Sequence, residues 1–75
     1  MEIRKEILEF AEMMERMMRT HDGNKGDSWK TCDIDFLEGK LIEEFIEYFK
    51  TPVKPELLDI SNVAMMLWHR KREKK

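Results

Sequence analysis

The spacing of apolar residues constrains this fold most strongly, because they recur every three or four positions in three stretches separated by two breaks. The first break, residues 21–28, is polar and contains two glycines, and the second, residues 51–55, contains two prolines. Proline does not continue a helix, although Pro55 suits the first position of a new one. The pattern predicts helices from residue 2 to about residue 20, from between Thr31 and Asp35 to about Lys50, and from Pro55 to about Arg72.

The predicted architecture is all-α, because no segment alternates polar and apolar residues convincingly with period two. Asp35, with Glu38 three residues later, has the pattern of a helix N-cap and its reciprocal partner at the start of the second helix. The link over residues 51–55 is short, so the second and third helices should pack antiparallel.

The small size of the chain predicts self-association. A protein of 75 residues buries a smaller share of its surface than a larger one and is marginal alone. We therefore expect one domain over residues 1–75, a three-helix protomer that completes a four-helix-bundle type of core as a homodimer or homotetramer. The seven methionines fall mostly at helical spacing, which favours core or subunit packing over a promiscuous binding groove.

Charge and hydropathy limit the partners of the chain. Residues 70–75 carry five bases and one acid, whereas the rest of the chain carries nine bases and fifteen acids. A body this acidic argues against nucleic-acid binding. No apolar run is long enough to span a bilayer, and residues 1–5 lack the apolar stretch of a signal peptide, so we expect a cytoplasmic protein without a membrane partner.

Acidic residues interrupt the apolar stripe of the second helix. Its inward line runs at steps of four, three and four through Leu37, Leu41, Glu44 and Tyr48. Glu44 therefore lies within the stripe rather than on the solvated face. Glu47 follows one turn later, about 60° around the helix axis.

The third helix carries a matching pair of acids. Its inward line runs through Glu56, Ile60, Val63 and Leu67, and Asp59 lies on the neighbouring line. Each helix therefore directs two carboxylates, three residues apart, toward the seam that the other helix should occupy.

Four carboxylates at one seam repel each other and are costly to desolvate unless they are paired, protonated or bound to metal. The basic residues nearest in sequence are Lys40, Lys50 and Lys54, and none lies centrally on the acid-bearing face of a helical wheel. All-oxygen ligands favour Mg²⁺, with Mn²⁺ as a substitute, over Zn²⁺. The alternative is that, with 16 acids in the chain, some fall near the stripe by chance. The candidate metal ligands are Glu44, Glu47, Glu56 and Asp59.

These acids also form a recognisable signature. Residues 43–47 read EEFIE and residues 56–59 read ELLD, which together have the form EExxE…ExxD. The signature resembles that of the MazG-like branch of the all-α NTP pyrophosphatase superfamily, which also includes dimeric dUTPases and phosphoribosyl-ATP pyrophosphohydrolase. Upstream, residues 10–14 resemble the first helix of that family, and residues 25–29 resemble the loop that enters its active site. Counted from Phe10, the likeness covers most of the chain.

The resemblance implies a single MazG-like helical domain with Mg²⁺-dependent nucleotide pyrophosphohydrolase activity. Such a hydrolase cleaves a nucleoside triphosphate between the α and β phosphates, giving the monophosphate and pyrophosphate. It implies that the four candidate acids hold the metal. The residues it implies for catalysis are Glu43, Glu44 and Glu47. Because Glu43 points roughly 100° away from Glu44, a solvent-facing role is the alternative for it.

The resemblance also suggests substrate contacts. Lys25, on a loop beside Gly26, is a candidate phosphate contact, with an ordinary solvated lysine as the alternative. Trp29 is a candidate for stacking on the base, or else caps the hydrophobic core. Asn62, one turn beyond Asp59, is a candidate hydrogen-bonding partner of the sugar or base, or else is satisfied within the bundle.

Two other functions compete with this interpretation. One is a related pyrophosphohydrolase that acts on a different substrate, such as phosphoribosyl-ATP or a dinucleotide-type pyrophosphate. The other is a non-catalytic helical module that dimerises through its methionine-rich face. The module gives no reason for acids to enter the apolar seam, so the sequence favours the enzyme.

Overall fold

The structure is a computed structural model that describes residues 1–23 and 26–72. It contains three helices: α1 over Lys5–Asp22, α2 over Ile34–Lys50 and α3 over Lys54–Arg72. A single 3₁₀ turn, Ser28–Lys30, precedes α2. Within these two ranges there is no strand, so the prediction of an all-α chain with three helices is confirmed.

The ends of the helices differ slightly from the prediction. Helix α1 begins at Lys5 rather than at residue 2, because Arg4 is extended and its carbonyl accepts the first helical bond, from the Leu8 amide at 3.1 Å. The prediction of a capping box at Asp35 and Glu38 is wrong. Asp33 occupies the N-cap position, and Asp35 lies in the first turn, where its charge complements the helix dipole.

Helices α2 and α3 pack closely and run antiparallel. Near the start of α2, the carboxylate of Glu38 lies 3.1 Å from the Lys71 amine at the end of α3. Further along α2, Glu44 lies beside Glu56 and Asp59 from the start of α3. The contacts therefore follow opposite directions along the two helices.

Two hydrogen bonds from side chains of α3 to backbone carbonyls hold α1 and the 3₁₀ turn against α3. The Asn62 amide donates to the Met14 carbonyl of α1 at 3.3 Å. The Arg70 guanidinium donates to the Trp29 carbonyl at 2.8 Å, which holds the 3₁₀ turn against the last part of α3. Both bonds join parts of the chain that are more than 40 residues apart.

The core is small and lies between α2 and α3. Leu37, Val63 and Leu67 are the buried apolar residues, as the predicted inward lines require. Half-buried residues around them are Trp29, Cys32, Ile34, Leu41 and Met66. Much of the remaining apolar surface of the described residues stays exposed. Among the helices that the structure describes, none is both long and apolar enough to cross a membrane.

The core packing predicts the effect of truncating its most buried side chain. Leu37 is only 3% exposed, so Leu37→Ala should lower the free energy of unfolding by about 2–5 kcal/mol through lost burial and a residual cavity. Urea denaturation followed by circular dichroism measures this change. Lys50→Ala, at an exposed site on the same helix, should change stability by no more than about 0.5 kcal/mol. Equal unfolding midpoints for the two variants would contradict the assigned core.

Candidate functional site

One end of the α2–α3 seam carries a group of carboxylates. Oxygen atoms of Glu44, Glu56 and Asp59 all lie within 4.8 Å of one another, and all three residues are half-buried. The register of the core produces this arrangement. Glu44 lies two turns beyond Leu37 on α2, and Asp59 lies one turn before Val63 on α3. The faces that bury the core therefore also bring the acids together.

The other two acids of the predicted site lie outside this group. Glu47 is exposed, as expected from its position about 60° around α2 from the inward line. Its charge still acts on Glu44, whose pKa it helps to raise. Glu43 is exposed as well, on the side of α2 turned toward solvent. The structure thus brings together three of the four predicted metal ligands.

The group disfavours a negative charge on Glu44. Burial is the main cause that raises the pKa of Glu44 above its ordinary value of 4.5, and the neighbouring Asp59 carboxylate is the next. Glu56 and Glu47 add to the repulsion, whereas Lys40 opposes it. The pKa remains raised, so Lys40 does not offset the other effects in full.

Lys40 is a residue that sequence reasoning placed incorrectly. It is half-buried, and its charge lowers the pKa of Glu44, so it faces the acid-bearing side of α2. The signal was present, because Lys40 precedes Glu44 by four residues and side chains at that spacing are neighbours on a helix.

A cleft of about 240 Å³ adjoins the carboxylate group. Glu44, Asp59 and Lys40 form part of its wall. Much of the remaining wall is apolar, and all four elements contribute to it. Met18 comes from α1, Trp29 from the 3₁₀ turn, Phe36 from α2 and Met66 from α3. The sequence did not predict this cleft, because it depends on how distant elements pack together. Trp29 both packs against the core and lines the cleft, so each role considered for it remains compatible with its position.

Asn62 also lines the cleft and is only 5% exposed. Its amide nitrogen donates to the Met14 carbonyl, but its Oδ1 is buried and has no hydrogen-bond partner among residues 1–23 and 26–72. The alternative prediction, that every polar atom of Asn62 is hydrogen-bonded within the bundle, is therefore met by the amide nitrogen and not by Oδ1. Lys25, the predicted phosphate contact, lies outside the described residues.

The chain was compared with protein-family models, with curated proteins and with solved structures. None of these comparisons finds a match. The chemistry of the site is therefore inferred from its own residues.

The raised pKa predicts how stability depends on pH. Between pH 4.5 and the raised pKa of Glu44, the folded chain binds more protons than the unfolded chain, so stability falls as pH rises through this interval. Glu44→Gln removes that penalty. In EDTA at pH 7 we expect the variant to have a higher Tm than the wild type, and the difference should disappear well below pH 4.5.

Differential scanning calorimetry across this pH range measures the difference. Glu43→Gln is the matched control, since Glu43 is the exposed neighbour of Glu44, and its Tm should follow that of the wild type at each pH. A Glu44→Gln variant less stable than the wild type at pH 7 would show that the carboxylate is stabilising without a cation.

Proposed function

We propose that this chain is a Mg²⁺-dependent nucleotide pyrophosphohydrolase that converts a (d)NTP to a (d)NMP and pyrophosphate. The observation that supports this most directly is the group formed by Glu44, Glu56 and Asp59 in the wall of a cleft. Like charges are held together there, and Lys40, the cation of the described residues that lowers the pKa of Glu44, offsets them only in part. A divalent cation is the counter-charge that this arrangement lacks.

The donor set fits Mg²⁺. It consists of carboxylate oxygens, which are the ligands that this hard cation prefers. Two oxygens bound to one Mg²⁺ at about 2.1 Å lie no more than about 4.2 Å apart. Oxygens within 4.8 Å of one another approach that separation after small side-chain rotations. Glu47, exposed but close enough to affect the pKa of Glu44, is retained as the proposed fourth ligand.

The residues of the cleft suggest how a triphosphate would be held. Glu44 and Asp59 belong both to the carboxylate group and to the cleft wall, so a ligand in the cleft lies next to the proposed metal position. Lys40 contributes a positive charge to the same wall, and we assign it a phosphate contact beside the one proposed for Lys25. When bound, Mg²⁺ would neutralise phosphate charge and lower the pKa of a coordinated water. Glu43 is proposed to orient the attacking water from the solvent side of α2.

The sequence signature supports the same reaction class. The segments EEFIE and ELLD, at residues 43–47 and 56–59, resemble the metal-binding signature of MazG-like pyrophosphohydrolases. Phosphoribosyl-ATP is the alternative substrate that this resemblance leaves open. A non-catalytic helical module remains the alternative from another class, favoured by the apolar surface that the protomer exposes.

Pyrophosphate release tests the proposal. We expect release from a panel of NTPs, dNTPs and phosphoribosyl-ATP with Mg²⁺, and none in EDTA. Glu44→Gln should reduce kcat/KM at least about 100-fold, since it removes charge where the metal is held. Asp35→Asn, an exposed acid on α2 outside the site, should retain wild-type turnover. Absence of release from every compound by the folded protein would favour the non-catalytic module.

We also propose that two or more copies complete the core as a homo-oligomer. Among residues 1–23 and 26–72, only three apolar residues are buried, whereas an exposed stripe at helical spacing on α2 is formed by Ile42, Phe45, Ile46 and Phe49. Phe49 is 77% exposed. A second copy is the partner because each protomer has the same small core and the same uncovered stripe, as a symmetric interface requires.

Light scattering on a dilution series tests the assembly. The wild type should have a mass of two or four times the 9.1 kDa of one chain, and Ile46→Glu should shift it toward one chain by burying a charge at the interface. Thr20→Glu, at an exposed site on α1, is the control and should leave the mass unchanged. A wild-type protein that remains monomeric at all concentrations would contradict the proposed interface.

A further inference from the structure

The unpartnered Oδ1 atom of Asn62 indicates a ligand that donates a hydrogen bond. Buried polar atoms are nearly always paired, because losing water without gaining a partner is unfavourable. Asn62 is 5% exposed and lines the cleft, and its Oδ1 has no partner within the described parts of the chain. A ligand that brings an N–H group to this oxygen removes the penalty.

The walls of the cleft indicate the shape of that ligand. Trp29 and Phe36 contribute aromatic surface, and Met18, Val63 and Met66 contribute apolar surface. A flat heterocycle with an N–H donor on its edge satisfies both the apolar walls and the buried acceptor. Glu44 and Asp59 line the same cleft, so such a ring would lie close to the carboxylate group.

We propose that the cleft binds the base of the nucleotide and that Asn62 selects bases with an amino group rather than a keto group at C4 of a pyrimidine or C6 of a purine, namely cytosine and adenine. This inference rests on the proposed function, because it assigns the substrate class of the same site. It makes Asn62 a specificity-determining residue, separate from the acids that are proposed to hold the metal.

The hydrogen-bonding state of Asn62 explains the preference for an amino group. Its nitrogen already donates a hydrogen bond to the Met14 carbonyl at 3.3 Å. The atom that remains able to bond to a ligand is Oδ1, which is an acceptor. An exocyclic amino group extends from the ring edge and donates to that oxygen. A keto group at the same position places oxygen against oxygen, which is repulsive and leaves both acceptors unpaired.

Access to Oδ1 requires a small movement of the wall, because this atom has almost no exposed surface. Met18 and Met66 line the same cleft, and methionine side chains change rotamer at low cost. The aromatic and branched residues of the wall can then keep their positions when the base enters.

Nucleosides without phosphates provide the test, since they isolate base recognition from metal binding and turnover. The probes are cytidine against uridine and adenosine against inosine, two pairs that differ by an amino or a keto group. Binding to the full chain in EDTA is measured by isothermal titration calorimetry, with quenching of tryptophan fluorescence as a second readout. We expect the amino member of each pair to bind at least about tenfold more tightly.

A variant and a matched control assign the selectivity to Asn62. Asn62→Leu has a similar volume without the acceptor and should bind both members of each pair equally. Ser61→Ala should keep the wild-type preference, because the Ser61 hydroxyl bonds to the Leu58 carbonyl of its own helix at 2.9 Å. If Asn62→Leu does not fold, the affinities of the wild type for the two members of each nucleoside pair test the proposal by themselves.

The outcomes separate this inference from the proposed function. Equal affinities within each pair, no binding of any nucleoside, or full selectivity in Asn62→Leu would overturn the role of Asn62. Mg²⁺-dependent pyrophosphate release at equal rates from all bases would also overturn it while supporting the reaction class. Selective binding of the amino nucleosides without turnover of any triphosphate would support base recognition and overturn the enzyme.

Discussion

The antiparallel packing of α2 on α3 through Leu37, Val63 and Leu67 is the contact on which the rest of the structure depends. It fixes the register of the two helices, and that register also places Glu44 beside Asp59. A rotation of either helix that separated the acids would also expose the apolar residues. The buried core therefore holds close together the backbone segments that carry the mutually repelling carboxylates.

The electrostatics of the seam differ from those of a structural ion-pair network. In an ion-pair network, the basic partners would hold the pKa of the carboxylates below the usual range. At Glu44 the balance is opposite, since burial and Asp59 outweigh the effect of Lys40. The basic residues in ion pairs, such as Lys71 with Glu38, lie away from the acidic end of the seam. The carboxylates at this end of the seam are therefore not neutralised by Lys40, and the proposed cation site rests on this imbalance.

Local patterns in the sequence predicted the helices and the carboxylate group, whereas contacts between distant elements did not follow from them. The two-proline break over residues 51–55 predicted the end of α2 at Lys50, because proline does not continue a helix. The start of α2 at Ile34 lies within the predicted range, but its N-cap was misassigned, since both Asp33 and Asp35 are suitable N-caps and only the backbone shows which one is used. The cleft depends on Arg70 holding the Trp29 carbonyl and Asn62 holding the Met14 carbonyl, pairings that no helical wheel contains.

A contribution to folding stability alone does not explain why an asparagine occupies position 62. It follows Asp59 by one turn and precedes the buried Val63, where an apolar side chain would pack without leaving a polar atom unpaired. Its nitrogen links α3 to α1 by donating a hydrogen bond to the Met14 carbonyl. That bond needs only a donor, whereas the side-chain amide also contains Oδ1, an acceptor without a partner among the described residues. Fixing the nitrogen on α1 also prevents the amide from turning, so the oxygen has a defined position relative to Glu44 and Trp29. An acceptor held in this way, in the cleft that Glu44 and Asp59 also line, fits the proposed recognition of a ligand with an amino group at one end and phosphates at the other.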